Sequence, residues 1–230
     1  MKRMLILFMG ILTLLVSVAM NANSGSLKNR SGIEIGFGFR EDSGFQNEHY
    51  VFDVVNHTSI ENMTFSIGFN HWVEENAAFN LSISVIDSEN RTGIDDFGVY
   101  DYNYAVVPIM AGFKFYPNQN NNRSNFRPFI SMAMGPVIRS QNYNYAGSHV
   151  YNETYTETVF GGKVGAGVDI IMGKHMILGF DGAYNHYSDF KNQFGLENIY
   201  NGPEFGIRFG FVFGGPKSPD NSRGITRVHH

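Results

Sequence analysis

Two sets of residues carry the chemistry open to this chain. His186 and Ser188 form a His-x-Ser pair, and residues two apart on an extended strand share a face. An imidazole so placed could take the proton of the hydroxyl, with Glu197 or Glu204 as the acid that orients it, the arrangement of a Ser-His-Glu hydrolase. The second set is ionic. Glu34, Lys114, Lys163, Asp169, Asp181 and Arg208 each interrupt a run in which every second residue is small or polar. Three carboxylates and three cations withdrawn from water must pair with one another, and the pairs can act as a plug of salt bridges or as the wall of a narrow ion path.

Other chemistries fall away. The chain has no Cys, hence no disulfide, thiolate site or cysteine nucleophile. His49, His57, His149 and His175 are scattered without ligand spacing, and the acidic stretch Asp87, Glu89, Asp95, Asp96 lacks the pattern of an EF-hand, so neither a metal centre nor a cofactor is expected. A net charge of -4 leaves no basic excess for phosphates, which argues against nucleic acid as a partner.

The elements that position the charged residues are strands. With 21 Phe, 12 Tyr and 26 Gly, the chain alternates bulky apolar residues with small ones in eight segments of about ten residues. Ile33–Phe39, Met63–Phe69, Phe79–Val85 and Val107–Phe115 are four of these. Ile130–Ile138, Val164–Ile170, Met176–Tyr184 and Phe205–Phe213 complete the set. Bulk falls on one face throughout, and the six charged residues fall on the other. Long polar stretches (41–61, 87–103, 140–157, 188–202) take turns with short links (71–77, 117–127, 172–175).

This pattern predicts an all-β fold: an eight-stranded antiparallel up-and-down transmembrane β-barrel with long extracellular loops and short periplasmic turns. A soluble barrel of lipocalin type is the rival, but it would need Lys, Glu and Thr outside, where this chain offers Gly, Ala, Ser and Asn on its second face. Lys2 and Arg3 followed by the apolar run Met4–Met20 predict a secretory signal peptide over 1–22, cleaved after Ala19 or Ala22. Residues 23–30 then form an N-terminal periplasmic segment, 31–213 the barrel and 214–230 a disordered tail. The tyrosines Tyr100, Tyr102, Tyr104, Tyr143, Tyr145, Tyr151, Tyr155, Tyr184 and Tyr187 are expected at the outer rim, as an interfacial girdle or a binding surface, with Trp72 and His71 at the inner interface.

The strands "VVPIMAGFKFYP", "RPFISMAMG" and "GAGVDIIMGKHMILGFD", with the closing "FGIRFGFVF", resemble the family of small outer-membrane β-barrel proteins. That family includes outer-membrane proteins X and W and the membrane domain of outer-membrane protein A. The resemblance covers about residues 31–213. It implies bacterial outer-membrane localisation, contact with outer-membrane lipids and lipopolysaccharide, and insertion by the barrel-assembly machinery, which reads a terminal aromatic such as Phe213. It is specific for fold and not for activity, since the family holds adhesins, conduits, enzymes and anchors. Here Gly214–His230 follow the aromatic at which family members commonly end.

The "HYSD" around His186 and Ser188 is similar to the His-x-Ser-Asn of lipid A 3-O-deacylases, with Asp189 where that family has Asn. The expectation is a non-enzymatic protein with a structural, adhesion or surface-interaction role and a side-chain-filled lumen, its loops open to an extracellular ligand. A narrow pore for small solutes and a deacylase-like hydrolase are the alternatives.

Overall fold

The structure, a computed structural model, describes residues 26–40, 53–60, 63–95, 98–117, 125–147, 150–191 and 200–214. The expected signal peptide, Glu197 and the tail after Gly214 lie outside the described residues. Ten strands follow in order: β1 (Arg30–Arg40), β2 (Asp53–Ile60), β3 (Met63–Glu74), β4 (Ala77–Val85), β5 (Asp87–Asp95), β6 (Gly98–Phe115), β7 (Phe126–Gly147), β8 (Val150–Met172), β9 (Met176–Tyr187) and β10 (Gly202–Gly214). They form one antiparallel sheet in the order β2-β5-β6-β4-β3-β1-β10-β9-β8-β7, and β6 also pairs with β7. That last pairing closes a ring through β1, β3, β4, β6, β7, β8, β9 and β10. The first strand meets the last at Ile35↔Phe209 and its other neighbour at Ile35↔Ile67.

Two expectations are corrected. Among the described residues there are ten strands where eight are expected, because β2 and β5 occupy stretches expected to be loops. Three strands are also much longer than about ten residues: β6, β7 and β8 run for 18, 22 and 23, so 140–157 is almost wholly strand. The cause is that apolar alternation marks where one face meets an apolar medium, whereas backbone pairing needs no such face. Tyr, Thr and Asn can continue a ladder whose side chains are wet. Only Ile86 separates β4 from β5, its N–H donating to the Val106 carbonyl at 3.1 Å, and both strands pair along β6. β8 joins β9 only from Gly161 onward, so β2, β5, β6, β7 and β8 continue as a sheet beyond the ring at the end opposite the short turns.

The outward face is apolar and exposed. Phe37, Phe65, Phe113 and Phe209, at 55%, 40%, 57% and 49% exposure, turn away from the axis. Neighbours on this face pack edge to face across strands, Phe37 with Phe65 at 5.3 Å and Phe79 with Phe113 at 5.8 Å between centroids. Buried clusters lie at both ends of the interior. At the turn end Leu27, Trp72, Tyr116, Phe129, Ile171 and Val212 meet. At the loop end Ile86, Tyr104, Val137, Tyr187, Phe190 and Tyr200 meet.

Trp72 is therefore not an interface anchor. It shares parity with Asn70 and Gly68 on β3, which points it inward, and it is wholly buried. The tyrosines divide in the same way: Tyr104 and Tyr187 are buried inside, while Tyr143 and Tyr184 are exposed.

Candidate functional site: the charged lumen

Between the two clusters the small face of each strand turns inward, and the register decides what meets there. Arg208 on β10 lies opposite Gly36 on β1 and Gly179 on β9. Glu34 lies between Gly68 and Gly210, and Asp181 between Gly167 and Gly206. Each charged side chain of this group thus has hydrogen, not Cβ, on both neighbouring strands, and can lie across them.

Arg208 is the hub. Its Nη1 donates to Glu34 Oε2 at 2.7 Å, its Nη2 to Asp169 Oδ1 at 3.0 Å and its Nε to Asp181 Oδ1 at 2.7 Å. Lys114 Nζ bonds both oxygens of Glu34, at 3.2 and 3.0 Å, and the Tyr116 hydroxyl donates to Asp169 Oδ2 at 2.8 Å. Phe129 lies under both cations, its ring centroid 5.3 Å from Lys114 Nζ and 5.1 Å from Arg208 Cζ. Closer to the loop end a second pair forms: Lys163 Nζ donates to Glu204 Oε1 at 2.8 Å, and Asn185 Nδ2 to Oε2 at 2.9 Å. The structure thus joins five of the six residues singled out by parity into one network and gives the sixth, Lys163, a partner in Glu204.

Four further inward charges lie outside that set: Arg30, Arg40, Arg127 and Arg139. Arg127 and Arg139 share the parity of Ser131 and Gly135 on β7 and are fully buried. Arg127 Nη1 reaches Glu75 Oε2 at 3.5 Å, and Arg139 Nη2 reaches Glu157 Oε2 at 3.2 Å while lying 4.4 Å over the Phe190 ring. Arg40 donates to the Tyr200 carbonyl at 2.7 Å. Arg139 already stands on the small face of its segment, and one or two more steps of alternation at the ends of β7 and β1 reach Arg127, Arg30 and Arg40.

The remaining space is small. One wall carries Ser66, Asn80, Ser82, Ser84 and Ser131 and leaves a cavity of about 90 Å³ beside the ion network, room for a few waters. At the turn end the residues before β1 pack against the interior. Leu27 is buried among Trp72 and its neighbours, and the Glu75 carboxylate accepts from the Ser26 hydroxyl and from the N–H groups of Leu27 and Lys28 at 3.3 and 3.2 Å.

With Glu204 as its acid the hydrolase constellation is not assembled, and Glu197 lies outside the described residues. His186 is exposed on the outward face, between inward-facing Asn185 and Tyr187, whereas Glu204 is buried in the lumen and held by Lys163 and Asn185. Ser188 lies just past the end of β9, its N–H bonded to the Phe160 carbonyl at 3.0 Å. Parity on β9 puts the imidazole and this acid on opposite sides of the wall. Among the described residues no group of three His, Asp or Glu side chains is placed to hold a metal ion.

No protein-family model and no curated protein matches the chain. Solved structures that it resembles are small bacterial outer-membrane proteins. The attachment invasion locus protein Ail of Yersinia pestis is 14% identical with a TM-score of 0.44, over 81% of this chain and 99% of that one. OprG from Pseudomonas aeruginosa is 11% identical with a TM-score of 0.47, over 82% and 98%. Neisserial surface protein A is 12% identical with a TM-score of 0.38, over 80% and 94%. The likeness is one of fold.

Proposed function

We propose that the protein is an integral β-barrel of a bacterial outer membrane, non-enzymatic and sealed, which anchors a β-sheet outside the cell for contact with other surfaces. The observation that carries this reading is the inversion of the usual globular order. Large apolar side chains are exposed all round the ring, while ions and buried clusters fill its axis. Water would penalise such an exterior by about 25 cal/mol for each Å² of apolar surface, whereas lipid does not. A closed ladder is also the only sheet that can sit in hydrocarbon without unpaired backbone groups.

In this reading residues 1–22 are the export signal and the tail after Phe213 hangs in the periplasm. The short turns face the periplasm, and the sheet formed by β2, β5, β6, β7 and β8 stands outside. The surroundings are outer-membrane lipids and lipopolysaccharide, with assembly by the machinery that reads a terminal aromatic. The eight strands of the ring then form the membrane-crossing barrel. Two measurements test this. The purified protein should migrate faster unheated than boiled on detergent gels, and planar bilayers containing it should show no conductance steps. A single, heat-independent band would overturn the barrel in membrane, and regular conductance steps would overturn the seal.

A further inference from the structure

Two isoleucines break the outward phenylalanine wall where the first strand meets the last. Ile33 on β1 lies between Phe211 on β10 and Phe69 on β3, and Ile35 lies between Phe209 and Ile67. Their branched side chains are shorter than the rings beside them. An open apolar groove of about 440 Å³ remains, lined by Ile33, Ile35, Phe209, Gly210, Phe211 and Phe213. At about 3.3 Å per residue, the stretch from Phe209 to Phe213 makes it about 13 Å long, comparable with the ~15 Å depth of one leaflet. Phe37, the next outward residue of β1, is again a large exposed ring.

At the turn end the groove runs into polar groups. Residues 173–175 turn β8 into β9, with Gly173 at a left-handed φ of 69°. His175 lies flat on Phe211, with 5.6 Å between centroids and 15° between planes, so the imidazole stands at the mouth of the groove. Its Nδ1 is 3.0 Å from the Val212 carbonyl oxygen. A carbonyl oxygen only accepts, so Nδ1 carries the proton, and in the neutral ring Nε2 is left as an acceptor. Lys174 is exposed beside it. Arg30 holds the turn from within, donating Nη2 to the Lys174 carbonyl at 2.6 Å and Nε to the Gly214 carbonyl at 3.1 Å.

Charge at this corner has one sign. Positions 30–33, 172–176 and 209–214 include no Asp or Glu. On the neighbouring strap Lys28 is engaged by Glu74, whereas Lys174 has no carboxylate partner among the described residues. An apolar groove of leaflet depth that ends at such an ammonium fits a lipid with a phosphate at the head of its chains. The acceptor at Nε2 adds a second demand, a headgroup donor. An ammonium meets it with a charge-assisted bond, which a hydroxyl cannot offer.

We infer that this groove and its rim hold one phosphatidylethanolamine molecule of the leaflet that meets the short turns. An acyl chain lies along Ile33 and Ile35, Lys174 Nζ donates to the phosphate, and His175 Nε2 accepts from the headgroup ammonium. The inference rests on the reading of the protein as a barrel in a membrane.

The test is native mass spectrometry of the full-length protein in detergent. It is titrated with phosphatidylethanolamine, phosphatidylcholine or phosphatidylglycerol of identical acyl chains. One phosphatidylethanolamine is expected to bind saturably, about fivefold more tightly than phosphatidylcholine, whose methylated headgroup has no donor. His175→Phe keeps a ring against Phe211 and removes the acceptor, so that preference should vanish. Lys174→Ala and Ile33→Phe should each weaken both lipids about fivefold, one at the phosphate and the other by filling the groove. Lys28→Ala removes the same charge from the same end and should change neither by more than about twofold. Each variant must keep its heat-modifiable migration, which shows that the barrel is intact. The inference is overturned, and the barrel reading stands, if an intact barrel binds no phosphatidylethanolamine saturably or binds either other lipid as tightly. It is equally overturned if the preference survives His175→Phe, if Lys174→Ala or Ile33→Phe changes nothing, or if Lys28→Ala acts as Lys174→Ala does. Loss of heat-modifiable migration in the wild type would overturn both.

Discussion

Gly179 and Arg208 lie opposite each other on β9 and β10, and the guanidinium occupies the space a side chain at 179 would need. A Cβ at Gly179 would lie 2.8 Å from Arg208 Nη2 and 2.9 Å from Asp169 Oδ1. Gly36, on the other side, would place a Cβ 3.2 Å from Arg208 Cγ, and Gly210 would place one 3.0 Å from Glu34 Cγ. Gly36, Gly179 and Gly210 are not there for backbone freedom. They make room for ions.

Gly179→Ala is accordingly expected to destabilise the barrel by about 1–3 kcal/mol, the range for overpacking a filled interior. The guanidinium and the Asp169 carboxylate would both have to shift, which also breaks a 3.0 Å hydrogen bond. Gly182→Ala is the control, since a Cβ there meets only the exposed Phe205 ring at 3.3 Å. Urea unfolding in detergent, followed by gel migration, measures both; equal stability of the two variants would refute the argument.

Removing the hub is expected to cost more. Arg208→Ala leaves Glu34, Asp169 and Asp181 with Lys114 as the remaining cation close to Glu34, and breaking a buried ion pair from one side typically costs about 3–5 kcal/mol. Arg208→Lys keeps the charge but offers one ammonium to three carboxylates that now receive Nη1, Nη2 and Nε separately. Its stability should fall between wild type and Arg208→Ala. The unfolding midpoints of the three proteins give the order directly, and a lysine variant as stable as wild type would show that the fork geometry is dispensable.

How much of this was legible beforehand follows from what a period of two can say. It separates faces, so the inward position of Glu34, Lys114, Asp169, Asp181 and Arg208 could be read directly, and with it the outward position of Phe37 and Phe209. It fails where the outward face stops being apolar. The strand extensions around Tyr102, Tyr143 and Tyr155 look like loops, because both faces there are polar while the ladder continues. It also misleads where an inward residue is large: Trp72 lies on the small face, but its bulk mimics the other one. The His186–Glu204 pairing fails on the same period: His186 continues the bulky face of Met176, Leu178 and Tyr184, while Glu204 continues the small face of Gly206 and Arg208.

Trp72 tests the turn-end cluster. It is fully buried between Leu27, Ala78 and Val212, so Trp72→Ala should cost about 3–5 kcal/mol through the cavity it leaves. If Trp72 anchored the membrane interface instead, the loss would be small. The size of the change in unfolding free energy therefore discriminates a plug from a girdle residue, and a change below about 1 kcal/mol would fit only the girdle.

The strap formed by Ser26, Leu27 and Lys28 should respond to acid, and Glu75 sets the direction. Glu75 lies in the turn between β3 and β4, where burial alone would raise its pKa. Against that, the Ser26 hydroxyl, the N–H groups of Lys28 and Leu27 and the charge of Arg127 together hold it below its ordinary value of 4.5. A carboxylate depressed in the folded state stabilises that state above the ordinary value, and the stabilisation disappears as pH falls through the depressed one. The strap should therefore stay seated at neutral pH and loosen only below pH 4.5. Trp72 is the one tryptophan in the chain and packs in the cluster that holds Leu27, so its emission reports the event. A red shift is expected on acidification of the wild type, while Glu75→Gln, which cannot accept from two N–H groups and a hydroxyl as a charged oxygen pair does, should be shifted at pH 7 already and change little below it. Identical emission of wild type at pH 7 and pH 3 would mean that the carboxylate does not hold the strap.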